Sequence, residues 1–170
     1  MTKKLLEHVV NLFDKEHKKK FLDKILPLIK RTYQNLGGID NVDFRKLILD
    51  SGKWKLVKRG DEITAGVLYR DLNGNKIRLV FSDGTPRGKA DIKKILQDDL
   101  IHGRSWVEAS GPLEKYLLSI GAPKVKATAA AKILGRDILE IDDDGFHYKR
   151  NINGKILTKI IIGHPTITEP

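Results

Sequence analysis

Three runs of apolar and polar residues near the middle of the chain predict β-strands. They are WKLVKR (54–59), ITAGVLYR (63–70) and KIRLVF (76–81). The links between them are short, and Asn73-Gly74 is a strong signal for a type I′ hairpin turn. The pattern therefore predicts an antiparallel meander.

Before this meander, apolar residues recur at helical spacing, which predicts a helical segment over residues 1–36. A polar run at 17–20 separates two apolar stripes and is typical of a bend or a solvated face. Pro27, inside the second stripe, predicts a kink or a break. The first stripe comprises Leu5, Val9, Leu12 and Phe13.

Two further signals lie between this segment and the meander. Gly37 and Gly38 are expected to end the helix, because glycine is favoured just past a helix C-terminus. Asp40 or Asn41 is then expected to cap a short third helix at about 43–50.

After the meander, helical and strand patterns alternate. Helices are predicted at about 89–101, after Ser110 and at 127–134, and strands at 105–109, 136–141, 145–152 and 155–162. The unit from 76 to 109 should be a right-handed crossover between parallel or splayed strands. This order predicts an α/β class with a mixed, mostly antiparallel sheet flanked by helices.

The length fits one domain. We expect N-terminal helices over 1–52, the mixed sheet with its helices over 53–163, and a tail over 164–170. The chain has no cysteine, no apolar run of transmembrane length and no signal-peptide pattern at its N-terminus. A cytoplasmic protein with no membrane association is the expectation.

A net charge of +10 favours anionic partners, or serves solubility alone. Nucleic acid is one such partner, although aromatic residues make up only 6% and are not interleaved with Lys and Arg as in RNA-stacking sheets. A nucleophile elbow, a phosphate-binding P-loop and zinc-protease histidine spacing are all missing from the sequence. Serine hydrolysis, phosphoryl transfer and zinc catalysis are therefore not expected.

The stretch SDGTPRGKADIKKIL (82–96) passes from strand-like to turn-like to helix-like. Its Arg87-Gly88-Lys89-Ala90 resembles the Arg-Gly-Lys-Gly loop of the GCN5-related N-acetyltransferases (GNAT). The order of elements over about 20–163 also resembles that family. The resemblance implies a mixed-sheet acyltransferase fold that binds acetyl-CoA, or another acyl-CoA, between strands 76–81 and 105–109.

In that family the loop donates backbone N–H groups to the cofactor's pyrophosphate, as a helix N-terminus can. The implied cofactor-binding residues are Phe81, Ser82, Gly84, Arg87, Gly88, Lys89 and Ala90.

The loop departs from the family pattern, because Ala90 and Ile92 stand where glycines are expected. A β-branched side chain does not readily adopt positive φ and would crowd a diphosphate. Either the cofactor binds in a shifted register that uses Gly84 and Gly88, or the segment is a polar turn with solvated lysines.

A second motif, WVEASGPLEKYLLSIGAP (106–123), resembles the family's strand and fourth helix. The family's Tyr, which protonates the leaving thiolate, corresponds to Leu117, and Tyr116 lies one residue earlier. Tyr116 is therefore either the general acid or an amphipathic residue at a helix edge. Glu108 is the candidate general base. The alternative is that Glu108 points outward from its strand and pairs with a lysine.

The tail DDDGFHYKRNINGKILTKIIIGHP (142–165) matches the family's terminal hairpin in position and resembles the ends of GNAT-like proteins of tailed phages. Asp142, Asp143 and Asp144 are better explained as a charged turn than as a metal site, because the calcium-loop pattern is absent. We expect no metal. His147 is either a strand residue that is hydrogen-bonded or faces solvent, or it lines the site of the acceptor.

Two functions follow. The first is acyl-CoA-dependent N-acyltransfer, with acetyl as the expected acyl group, to an amine of a protein or a small molecule. The second is a catalytically inactive, basic binding or regulatory protein of GNAT shape, such as a phage inhibitor of a host or viral protein.

Overall fold

The computed structural model describes residues 3–36 and 42–167. The described residues of 1–71 and 77–96 form one compact unit, and those of 72–76 and 97–170 form a second. The predicted helix end at Gly37 and Gly38 and the predicted cap at Asp40 or Asn41 lie outside the described residues. The division into segments of a single domain stays a prediction.

The first unit carries one layer of strands, which lie side by side in the order in which they follow along the chain. Its helices are α1 (Lys3–Leu6), α2 (Lys15–Asn35), α3 (Phe44–Asp50) and α4 (Pro86–Gln97). Its strands are β1 (Val9–Leu12), β2 (Lys53–Arg59), β3 (Glu62–Asp71) and β4 (Asn75–Ser82). The last residue of α4 and the first two residues of β4 belong to the second unit. Strands β2, β3 and β4 confirm the predicted meander. Asn73 and Gly74 both have positive φ, at 48° and 99°, as the predicted turn requires.

The prediction that residues 1–36 are helical throughout is wrong in its first half. Residues Val9 to Leu12 form β1, which pairs antiparallel with β2, and Phe13 is 67% exposed. The apolar stripe spans only about two turns, too short for a stable helix. The β-branched pair of Val9 and Val10 is instead opposite Val57 and Leu56 of β2, where β-branched side chains are favoured.

The second half of this segment is a single helix. Asp14 caps α2 by accepting the His17 N–H at 2.9 Å, so the polar run at 17–20 lies inside the helix and is not a bend. Pro27 also lies within α2, which continues to Asn35 and does not break. The apolar face of α2 packs with α3 on the strands around Trp54, Leu56, Leu68, Leu79 and Phe81.

The second unit is built around its last strand, residues 155–163, which pairs with three others. Its elements are a π-helical turn (Asp98–His102), β5 (Ser105–Ala109), α5 (Gly111–Ser119), β6 (Lys124–Val125), α6 (Ala127–Leu134), β7 (Ile138–Ile141), β8 (Tyr148–Ile152) and β9 (Lys155–Gly163). The strand order is β5-β9-β8-β7, all antiparallel, and β6 also pairs with β9.

The first residues of β4 belong to this unit and pair in parallel with β5, as predicted, whereas the right-handedness of the crossover stays a prediction. Asn75 pairs with Ser105 and Lys76 with Trp106. The Trp106 indole N–H donates to the Leu72 carbonyl at 2.9 Å, and the ring packs in a small core with Ala127, Ala130, Tyr148 and Ile161. The predicted fold class, a mixed and mostly antiparallel sheet flanked by helices, is confirmed. No helix among residues 3–36 and 42–167 combines the length and the apolar character that a membrane span requires.

Candidate cofactor loop and candidate catalytic residues

The candidate cofactor loop runs from the buried Phe81, at the end of β4, through Ser82 to the start of α4. The sequence predicted a helix start near residue 89, but α4 begins at Pro86. Proline suits a first helical position, because its missing N–H has no partner to lose there. Residues Arg87 to Ala90 are therefore the first turns of the helix, and the loop proper is only residues 83–85.

Side chains of the loop itself cap this helix. Thr85 Oγ1 accepts the Gly88 N–H at 3.0 Å, and the Thr85 carbonyl accepts the Lys89 N–H at 2.9 Å. Asp83 Oδ1 accepts both the N–H of Thr85, at 3.0 Å, and its hydroxyl, at 2.6 Å. Ser82 Oγ accepts the Gly84 N–H at 3.3 Å. The backbone N–H groups of Gly84, Thr85, Gly88 and Lys89, which would face a diphosphate, thus already donate to the protein's own oxygens.

The two glycines of the loop serve different purposes. Gly84 has a φ of 81° and an open space where a side chain would stand, so its glycine is required by the backbone alone. A Cβ on Gly88 would meet the Asp83 carboxylate and lie 2.7 Å from the Thr64 carbonyl oxygen. Gly88 is therefore required by the close approach of the protein's own groups.

The remaining candidate residues of α4 divide by exposure. Arg87, Lys89 and Ala90 are exposed, so two cationic side chains stand at the start of the helix. Ile92, which occupies a family glycine position, is buried. Its place in the core gives a packing reason for the departure from the family pattern.

A buried ion pair that the sequence analysis missed anchors α4. Asp91 accepts two hydrogen bonds at 3.0 Å from Arg59, at the end of β2, and a third at 3.0 Å from the Thr64 hydroxyl of β3. Hydrogen bonding to Asp91 raises the pKa of Arg59, so the guanidinium stays charged. Asp91 falls on the buried stripe of the helix, and a polar residue at such a position is the signal that could have predicted a partner.

Glu108, the candidate base, lies on β5 in the second unit and is held by two side chains of β8. Its Oε2 accepts the Tyr148 hydroxyl at 2.6 Å, and its Oε1 forms an ion pair with Arg150. The Glu108 side chain is only 9% exposed. Burial, and then the charge of Glu108, raises the pKa of Tyr148, which therefore stays a hydrogen-bond donor. The structure thus pairs Glu108 with an arginine, where the sequence alternative named a lysine.

A lysine stands beside this group. Lys159 of β9 donates to Ser110 Oγ at 3.2 Å. Burial lowers the pKa of Lys159, the charge of Glu108 opposes that effect, and the charge of Arg150 adds to it. Ser110 is the N-cap residue of α5, as predicted, but its side chain makes no capping hydrogen bond to the helix. Lys159 and Tyr148 are directly opposite each other on β9 and β8.

Tyr116, the candidate acid, lies on α5 and is partly buried, which raises its pKa. Leu117 is the residue of this pair that faces the core, at 1% exposure. The described hydrogen bonds of Glu108 go to Tyr148 and Arg150 and do not involve Tyr116. The roles predicted for Glu108 and Tyr116 stay predictions.

His147 joins α5 to the turn between β7 and β8. Its Nε2 lies 2.8 Å from Glu114 Oε2, and its Nδ1 contacts the Asp144 carboxylate. Backbone N–H groups of His147 and Phe146, followed by the His147 ring, lower the pKa of Asp144 to about 2. Asp144 therefore caps a turn, as predicted for the acidic run. Within the described residues no group of three or more His, Asp and Glu side chains is arranged to hold a metal ion.

Comparison with solved structures identifies the architecture. The aminoglycoside 6'-acetyltransferase type Ii matches with a TM-score of 0.53 and 12% identity, over 95% of this chain and 99% of its own. The aminoglycoside 6'-N-acetyltransferase from Enterococcus faecium matches with a TM-score of 0.52 and 10% identity, over the same shares. No family model and no curated protein matches the sequence.

Proposed function

The chain has the GNAT-like fold, and from that premise we propose that it is an N-acyltransferase that takes an acetyl or other acyl group from acyl-CoA. The acceptor is an amine of a protein or a small molecule. The observation that carries the proposal is the likeness to two acetyltransferase structures over 95% of the chain. The exposed cationic start of α4, directly after β4, supports it.

The charge of the loop suits a diphosphate, but several of its backbone N–H groups already have acceptors within the protein. Arg87 and Lys89 are exposed and would hold the phosphates by charge, and the open space at Gly84 would admit them. The N–H groups of Gly84, Thr85 and Gly88 donate within the loop, and the Asp83 carboxylate lies against Gly88. Cofactor binding through this loop is therefore expected to depend on the two side chains.

The cofactor would supply an acyl group activated as a thioester. Glu108 is the proposed proton acceptor for the amine. Each of its oxygens has one described donor and a second lone pair that remains for another. Tyr116 is the proposed proton donor, and its raised pKa keeps the proton on the phenol oxygen at neutral pH. Most of the rate acceleration would come from holding the two reactants together.

Calorimetric titration with acetyl-CoA tests the proposal. We expect saturable binding that weakens by about tenfold in the Arg87→Ala/Lys89→Ala variant, since two charges are lost. The matched control is Lys93→Ala/Lys94→Ala, which removes two exposed charges farther along the same helix and should bind like the wild type. No heat at millimolar acetyl-CoA would contradict the proposal.

The alternative function, a catalytically inactive binding or regulatory protein, is favoured by one observation. The loop is capped by its own Asp83 and Thr85, so its donors are satisfied with no ligand. On this alternative the net charge of +10 would attract an acidic partner. A salt-dependent complex with an acidic protein, with no acetyl-CoA binding, would support it. The phage origin, the nucleic-acid partner and the cytoplasmic location stay predictions.

A further inference from the structure

The part of β4 that leads into the candidate cofactor loop is a strand edge. The pairing of β4 with β5 covers only Asn75 and Lys76. From Ile77 to Ser82 the strand has β3 on one side, and in the described part of the chain no strand is paired with its other side. The outward N–H and C=O groups of such an edge can pair with any extended molecule that carries amide groups.

Two hydroxyl groups of α2 occupy this edge. The Tyr33 hydroxyl oxygen accepts the Val80 N–H at 3.1 Å, and Thr32 Oγ1 accepts the Ser82 N–H at 3.3 Å. Thr32 Oγ1 also donates to a carbonyl oxygen, with those of Leu28 and Ser82 at 2.8 Å and 3.3 Å. The last turns of α2 therefore supply acceptors that a neighbouring strand would otherwise supply.

The direction of these N–H groups follows from the next residue along the chain. The Asp83 N–H donates to the Thr64 carbonyl of β3 at 2.8 Å. Successive N–H groups of an extended chain point to opposite sides, so those of Ser82 and Val80 point away from β3, toward the edge without a paired strand.

The core fixes the Tyr33 hydroxyl at this edge. The Tyr33 side chain is buried, and its ring lies 5.5 Å from that of Phe44 between the two centroids. Its oxygen therefore stays beside the Val80 N–H when no ligand is bound. The same condition continues in the loop, where the N–H groups of Gly84 and Thr85 donate to oxygens of Ser82 and Asp83.

We propose that Thr32 and Tyr33 set the affinity of the chain for acyl-CoA, because their hydroxyl oxygens compete with amide oxygens of the acyl-CoA arm for the N–H groups of Ser82 and Val80. This inference rests on the proposed function, in which acyl-CoA binds at the end of β4 and the start of α4. A carbonyl oxygen of the arm accepts the same N–H that the hydroxyl oxygen accepts. Binding along the edge therefore exchanges one hydrogen bond for another and gains less than it would at an edge with free N–H groups.

Calorimetric titration of acetyl-CoA into Thr32→Val, Tyr33→Phe and the double variant tests the inference. Each substitution keeps the shape of the side chain and removes the competing oxygen. We expect the double variant to bind about tenfold more tightly than the wild type, with each single variant in between. The matched control is Ser51→Ala at the end of α3. Ser51 Oγ donates to the carbonyl four residues earlier, as Thr32 Oγ1 does, so this variant should bind like the wild type.

Amide hydrogen exchange of the same variants locates the effect. Without acetyl-CoA, the Val80 amide in Tyr33→Phe and the Ser82 amide in Thr32→Val should exchange faster than in the wild type, because each has lost its acceptor. Saturating acetyl-CoA should slow both again, since the arm supplies new acceptors. Slow exchange of the core strands in each variant shows that it is folded.

The outcomes separate this inference from the proposed function. If the wild type binds acetyl-CoA and the variants bind equally or more weakly, the competition is refuted and the proposed function stands. Exchange of the Val80 and Ser82 amides that acetyl-CoA does not slow in the variants also refutes the competition. Absence of binding in the wild type and in every variant overturns both. If the double variant does not fold, the single variants decide by the same signs.

Discussion

At the scale of single residues, the loop before α4 has a conformation set by its own side chains. Asp83, Thr85 and Gly88 contact one another closely, and the Thr64 carbonyl of β3 receives the Asp83 N–H at 2.8 Å. The negative carboxylate lies at the positive end of the helix, where it is stabilised by the dipole. A phosphate group approaching the same turn would meet that charge.

Replacing Gly88 with alanine should destabilise the protein by about 1–3 kcal/mol, because the added methyl group would press on the Asp83 carboxylate and on the Thr64 carbonyl oxygen. The comparison is Gly52→Ala, at a glycine with open space around it and no positive φ. Urea unfolding of both variants measures the difference in the free energy of unfolding. Equal stability of the two variants would show that the loop does not hold this close contact.

The variant Asp83→Asn removes the charge and keeps the side-chain oxygen that accepts from Thr85. We expect it to bind acetyl-CoA about three- to fivefold more tightly, since a like charge beside the phosphates is lost. Asp43→Asn removes the equivalent charge from the cap of α3, where Asp43 accepts the Lys46 N–H at 3.1 Å, and should not change binding. Calorimetry measures both, and an unchanged or weaker affinity of Asp83→Asn would contradict the expectation.

The sequence analysis placed the start of α4 near residue 89 and did not predict these contacts. Asp83, Thr85 and Pro86 are typical of a helix start, and this local signal places the N-terminus of α4 correctly when it is used. The close approach of Gly88 to Thr64 and the ion pair of Glu108 with Arg150 join residues far apart in the chain. Pattern reasoning does not detect such contacts, because they depend on how the strands are ordered.

At the scale of elements, the second unit ties helix α5 to the β7–β8 turn through His147. Burial, the largest influence, lowers the pKa of His147, but its hydrogen bonds and charge interactions with Glu114 and Asp144 outweigh burial and raise it overall. The folded protein therefore binds this proton more tightly than the unfolded chain does.

The raised pKa of His147 makes the stabilisation from its contacts with Glu114 and Asp144 depend on pH. Its stabilising contribution is fully present below the unfolded pKa of about 6.5 and is lost as the pH rises through the higher folded value. The stabilisation that the wild type has over His147→Gln, measured as the difference in their free energies of unfolding, should therefore decrease as the pH rises from about 5 to about 9. Urea unfolding across that range measures it. A difference that grows with pH would refute the assignment, and Glu114→Gln should reduce the effect.

Helices and strands were predicted correctly where the apolar pattern extended over many residues or where the turn had a characteristic sequence. The strands of the meander, the helix at 127–134 and the turn at Asn73-Gly74 all follow from local sequence. The prediction failed at β1, where four residues compatible with a helix are held as a strand by pairing with β2. Tertiary pairing outweighs local propensity in so short a segment.

For the whole molecule, the order of elements was sufficient to predict the fold, whereas the polar contacts that stabilise each unit were not predicted. Asp91 and Arg59 are 32 positions apart, and Glu108 and Arg150 are 42 apart. The GNAT-like fold and the charge of +10 agree with an anionic cofactor, and the self-capped loop limits how the backbone can bind it.

The most direct test of the central claim is the set of backbone amide signals that move in an NMR titration with acetyl-CoA. We predict saturable shifts of Gly84, Arg87 and Lys89, at the start of α4, with smaller changes in residues of α4 beyond its first turns. Shifts confined to other parts of the chain, or no shift of residues 82–90 at millimolar acetyl-CoA, would contradict the claim that this loop binds the cofactor.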